Sequence, residues 1–318
     1  GGEPPNARHR PLASVWESHA TARTRPRRVL EEDDKLIYPL CRQPLVLSAG
    51  FVEHCPQWRD FVLVQTFYKF INDVVIFETE IVDKTARNIA KNRFSIPFPA
   101  ACRYDAMTVV VDEDYHALVA LDFMQQTLEQ TGIAPLELPA AIELSRAIPI
   151  AQAQAPTHLH DAVELICVAI AENTVTHDVA AFAKDDSVKQ SVRGLMADHL
   201  ADEGRHAIFW ASLVRHYWQT ASDEDRYGIA QVLPVFLQHY LTNELQRDFD
   251  LLLIEHLDIS ADARQVLQAQ VSALTFPITP QHPLISNIMG LLRRSGLLQT
   301  PCVAQALSAY LPVPGSPS

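Results

Sequence analysis

The 318-residue chain has little of what a nucleic-acid or lipid-surface binder needs: 26 Lys and Arg stand against 38 Asp and Glu, a formal net charge of -12. Phosphate backbones and anionic headgroups are recognised by a positive field, so neither a nucleic acid nor a membrane is the expected partner. Cysteine is scarce as well. Cys41, Cys55, Cys102, Cys167 and Cys302 stand apart with no C-x-x-C pair. Their odd number excludes a complete disulfide framework and argues for a reduced, cytoplasmic setting. No G-x-G-x-x-G fingerprint offers a dinucleotide fold as a source of electrons. No charged-then-apolar leader opens the sequence and no apolar run reaches the roughly 18 residues a bilayer span requires, so a soluble protein is expected.

What is abundant is helical pattern. Hydrophobic residues make up 48% of the chain, enough for one large domain. Residues 1–28, with Pro4, Pro5, Pro11 and Pro26 among many arginines, read as a flexible N-terminal arm, and 29–318 as a single domain. Apolar residues at helical spacing predict helices from about Pro56 to Lys91, Arg103 to Gln130 and His158 to Ala183. A fourth runs to about Gln219 from an N-cap turn at Asp185-Asp186-Ser187. The tail over 223–318 reads as further helices, the first, 223–257, broken or bent at Pro234, wrapping the bundle of 56–218.

Ligand-type side chains interrupt the apolar faces of these helices. His199, Glu203 and His206 fall at i, i+4 and i+7, so one helix face carries all three. Glu113 and His116 repeat the Glu-x-x-His spacing on the second helix, each copy preceded by an aspartate, Asp112 and Asp202. Glu78, in line with Ile71, Val74, Ile81 and Val82, and Glu172, in line with Leu165, Val168 and Ala169, place a carboxylate where a leucine belongs. Taken singly, each is more often a paired or half-exposed side chain. Together they form the ligand set of the ferritin-like di-iron or di-manganese carboxylate proteins. The fold class is therefore expected to be all-α, a ferritin-like four-helix bundle core with additional C-terminal helices. Four glutamates in an apolar interior repel one another and are costly to desolvate, and two divalent cations balance them. Oxygen and imidazole donors suit iron or manganese better than a thiolate metal. Asp112 and Asp202 are suited to accept the distal N–H of a ligating histidine. The remaining residues receive plainer readings: Phe61, Phe67, Phe70 and Phe77 as bundle core, Tyr104 and Tyr115 as packing, Arg205 as a salt-bridge partner.

On these residues the sequence resembles the p-aminobenzoate N-oxygenase type of ferritin-like di-iron oxygenases, over roughly residues 56–218. That family is distinguished by a third histidine a turn before the last glutamate, where His199 stands. The resemblance implies Glu78, Glu113, His116, Glu172, His199, Glu203 and His206 as ligands to two iron ions, with O2 as co-substrate. It further implies oxidation of an amine, free or carrier-bound, to hydroxylamine, nitroso or nitro in natural-product biosynthesis. Electrons would come from a separate reductase or a chemical reductant, and the assembly would be a homodimer. The competing readings are a di-iron oxygenase acting on carbon and a non-catalytic ferritin-like iron-binding protein.

Overall fold

The computed structural model describes residues 13–313 and residue 315. In chain order the helices are α1 (Ala13–His19), α2 (Thr21–Thr24), α3 (Pro44–Leu47), α4 (Ala49–His54), α5 (Arg59–Ile76), α6 (Asp83–Ala90), α7 (Ala100–Thr131) and α8 (Glu143–Ala153). They continue as α9 (His160–Ala183), α10 (Gln190–Thr220), α11 (Asp223–Tyr240), α12 (Glu244–Glu255), α13 (Ala261–Ala273), α14 (Pro283–Arg294) and α15 (Pro301–Ala306). Among the described residues no strand forms; a lone parallel bridge joins Leu36 to Val188. The fold is all-α.

Four rods make the bundle: α5 running on into α6, then α7, α9 and α10. The first pair and the second pair each pack as a hairpin, and the long crossover between α7 and α9 carries α8. Apolar residues fill the bundle in two bodies. One gathers Leu63, Phe67 and Ile71 of α5, Phe123 of α7, Phe182 of α9 and Met196 of α10. The other gathers Ile89 of α6, Val109 of α7, Ile166 of α9 and Trp210 of α10. Each rod passes from one body to the other, and its ligand-type residues lie at the crossing. α7 ends where Gly132, at φ 67°, takes the left-handed turn that a side chain would disfavour.

Several expectations need correction. Residues 13–28 are not a loose arm: Ala20 and Thr21 are buried, and Arg27 and Arg28 form two-bond ion pairs with Asp122 and Asp198 on α7 and α10. Arginines that read as solvating charge in sequence are the fasteners of this segment. Residues 1–12 lie outside the described residues. Pro234 sits inside an unbroken α11, and the interruption falls at Leu241–Asn243. The cap of α10 is Lys189, because Ser187 turns back to Asp185 Oδ1 instead. By length and composition alone α9 could cross a membrane, with mean hydropathy 1.3, but 67% of that window is packed inside the protein. Its apolarity is that of a central helix touched on all sides.

Candidate metal centre

Between the two apolar bodies the four rods bring all seven predicted ligand residues to one place. Glu78, Glu113, Glu172 and Glu203 are each 0% exposed. Glu78 comes from a π-helical turn, Phe77–Val82, inserted between α5 and α6. Such a wider turn shifts the register of side chains on either side of it and recurs at functional sites. Glu113 and His116 come from α7, Glu172 from α9, and His199, Glu203 and His206 from α10.

The side chains divide into two groups of four, Glu78, His116, His199 and Glu203 in one and Glu113, Glu172, Glu203 and His206 in the other. Within each, one donor atom per residue lies within 4.8 Å of all the others. Glu203 belongs to both: its Oε1 is 2.9 Å from His199 Nε2, its Oε2 3.6 Å from His206 Nδ1. Glu113 lies near two of the histidines, with Oε1 2.5 Å from His206 Nδ1 and Oε2 3.6 Å from His116 Nδ1. Only Glu203 is a member of both groups, so it is the carboxylate that two ions would share.

The donor set passes a direct test of fit. All eight carboxylate oxygens, with His116 Nδ1, His199 Nε2 and His206 Nδ1, are buried without a hydrogen-bond partner. Such atoms are rare in folded proteins because each forfeits the free energy of desolvation. Here they converge, which is what a pair of cations requires. Four carboxylates and three neutral imidazoles match two divalent ions in charge. Without cations the cluster takes up protons. Burial and the nearby Glu203 push Glu172 well above the carboxylate range. Burial also opposes charge on Glu203, but His206 and His199 outweigh it and hold that carboxyl low. His116, despite burial, is raised to about 10 by Asp202, Glu78 and Glu203.

The outer contacts are crossed. Asp202 of α10 holds His116 of α7 through Nε2 at 2.7 Å, and Asp112 of α7 holds His206 of α10 through Nε2 at 2.9 Å. Each aspartate fixes the histidine of the other helix, which sets the tautomer and turns the free nitrogen to the centre. The Nη2 group of Arg205 donates to both, at 3.1 Å to Asp112 and 2.7 Å to Asp202, so its charge offsets two buried anions. The N-terminal segment completes the ring: Trp16 Nε1 donates to Asp112 at 2.8 Å, and the Thr21 N–H and hydroxyl donate to Asp202. Trp16 and Thr21 escaped sequence reading, since nothing local links them to positions on α7 and α10.

Two cavities reach the cluster. One of about 370 Å³ runs along α5 to Glu78, His116 and His199, walled by Phe70, Val74, Phe77 and Val175. Phe67 and Phe77 are buried core as expected and Phe70 packs against the core, while Phe70 and Phe77 also form part of the cavity wall. The same cavity holds two ion pairs, Arg42 with Asp178 at 2.5 Å and Lys69 with Asp73 at 2.6 Å. A second, of about 330 Å³, lies under Pro26, Arg27 and Arg28 and meets His116 and His199 beside Tyr115. Both cavities meet the centre at His116 and His199. The rings of that pair stack at 4.2 Å.

Comparison with known proteins agrees with this arrangement. The family model described as P-aminobenzoate N-oxygenase AurF matches residues 7–275. A curated relative, the 4-aminobenzoate N-oxygenase of Streptomyces thioluteus, is 22% identical over 220 residues, which is 69% of this chain and 63% of the relative. The chain thus spans somewhat under two thirds of that relative's length.

Proposed function

The chain belongs to the P-aminobenzoate N-oxygenase AurF family, and from that premise we propose that it is a non-haem di-iron N-oxygenase, oxidising an amine to hydroxylamine, nitroso or nitro. The observation that carries the reading is His199, whose Nε2 lies 3.0 Å from Glu78 and 2.9 Å from Glu203 and adds a third imidazole to an otherwise complete four-glutamate, two-histidine set. Glu78, His116, His199 and Glu203 would hold one iron, and Glu113, Glu172, Glu203 and His206 the other. Bound iron supplies the capacity to take up and reduce O2.

The first oxidation balances as R-NH2 + O2 + 2 e⁻ + 2 H⁺ giving R-NHOH + H2O, so an external reductant is part of the proposal. An amine in the larger cavity would lie against Phe70, Phe77 and Val74, with its nitrogen toward His199. Those apolar walls keep water from competing for the oxidant and suit an aromatic or similarly flat amine. Glu203, common to both groups, would hold the two ions close together, and the crossed aspartates hold the Nε2 side of His116 and His206 so that Nδ1 of each is directed inward.

The test is anaerobic loading with ferrous iron, reduction, addition of aryl and amino-acid-derived amines, and exposure to ¹⁸O2 followed by mass spectrometry. Label on nitrogen is the expected result. Label on carbon would assign the protein to carbon oxidation instead. Iron oxidation without any labelled product would leave only the iron-binding reading.

A further inference from the structure

The segment that fastens across α7 and α10 makes contacts for which tethering alone gives no reason. Thr21 is a polar residue at 1% exposure, and both of its donors go to Asp202, itself 0% exposed. Trp16 lays its indole N–H on Asp112, which is 1% exposed. The clamps that anchor the segment are elsewhere. Arg25 and Arg28 hold Asp198, Arg27 holds Asp122, and the Leu30 N–H meets Gln126 Oε1 at 2.8 Å.

A carboxylate that meets an imidazole through one oxygen can still rotate about its own axis and swing the ring with it. A donor on the other oxygen fixes the carboxylate plane. Trp16 takes Asp112 Oδ1 while His206 takes Oδ2, which is that arrangement. On Asp202 the Thr21 N–H takes Oδ1, and the hydroxyl joins His116 on Oδ2. Arg205 also touches both aspartates, but through one nitrogen shared between them.

We infer that Trp16 and Thr21 are positioning residues for two different metal subsites: Thr21 through Asp202 and His116 for the subsite of Glu78, His116, His199 and Glu203, and Trp16 through Asp112 and His206 for the subsite of Glu113, Glu172, Glu203 and His206. This rests on the dinuclear reading above. It adds that Trp16 and Thr21, which are not among the seven clustered residues, are an integral part of the centre.

The test is titration of the metal-free full-length chain with Co(II) under anaerobic conditions, read by the visible bands of the bound ion, for the wild type, Thr21→Val, Thr21→Ser and Trp16→Phe. Circular dichroism melts check folding. Partners of metal ligands are worth about 10- to 100-fold in affinity, and these residues act one bond further out, so the low end applies. Thr21→Val should weaken one of the two binding steps ~10-fold and Trp16→Phe the other, while Thr21→Ser stays near the wild type. ⁵⁷Fe Mössbauer spectra of the two variants should show disturbance of different iron sites. If both variants titrate as the wild type, or both weaken the two steps alike, the segment only supports the fold and the inference fails. If the wild type itself takes up no pair of cobalt ions, the dinuclear reading fails and takes this inference with it.

Discussion

Replacing Glu172 by leucine should have opposite effects on the metal-free and metal-loaded protein. Glu172 sits in the middle of α9 among Leu165, Val168 and Ala169, is 0% exposed, and leaves both carboxyl oxygens without a hydrogen bond. Burial and Glu203 drive its carboxyl toward the neutral form. Each buried, unsatisfied polar atom costs about 1–3 kcal/mol, so removing two and filling the space with methyl groups should stabilise the metal-free chain by about 2–6 kcal/mol. With an unfolding entropy of about 2.1 cal/mol/K per residue over 318 residues, that corresponds to a rise in Tm of roughly 3–9 °C. In the metal-loaded protein the sign reverses, because a cation at a thousand times its Kd adds about 4 kcal/mol and one of the two subsites has lost a ligand. Calorimetry with chelator and with Co(II) would display both arms. Were the chelated variant less stable than the chelated wild type, Glu172 would be serving packing or an ion pair, and the reasoning from orphaned atoms would be refuted.

Further outcomes follow from the same geometry. Asp112→Asn, which disturbs the contact at 2.9 Å to His206 Nε2, should weaken metal binding about 10- to 100-fold by equilibrium dialysis with little change in helical content; unchanged affinity would deny the crossed aspartates a role. His199→Ala should fold and keep two irons per chain, but its yield of N-oxygenated product should fall at least about tenfold; wild-type yield would leave His199 without a ligand role. Asp83, buried and facing Asp114 as well as Arg87, has its carboxyl pushed up to about 7. Between its ordinary value of 3.8 and that point the folded chain binds a proton that the unfolded chain lacks, so stability falls as pH rises through the window. Asp83→Asn should therefore gain Tm relative to the wild type on moving from pH 5 to pH 8, and a difference that stays constant with pH would contradict the assignment.

That these seven residues gather at one place was legible in sequence for a physical reason. A glutamate at a core position of an amphipathic helix violates the pattern around it, and Glu78, Glu172 and the two Glu-x-x-His pairs all do so at helical spacing. The four rods that carry them were readable from the same periodicity. Contacts across long sequence separations were not. The exchange of partners between Asp112 and Asp202 depends on how α7 and α10 face each other, and no local pattern encodes it. The Pro- and Arg-rich stretch before residue 29 has the composition of a solvated arm, while its ion-pair partners lie more than ninety residues away at Asp122 and Asp198. The π-turn at Phe77–Val82 is likewise silent, since Ile, Val and Phe there suit an ordinary helix equally well.

Counting iron per chain tests the central claim most directly. After anaerobic loading with ferrous iron and gel filtration, elemental analysis should find two iron ions per polypeptide, both removed by chelation and both lost together in a variant that replaces the shared Glu203. One iron or none in the loaded wild type would show that the buried carboxylates of these four rods are balanced by something other than a metal pair.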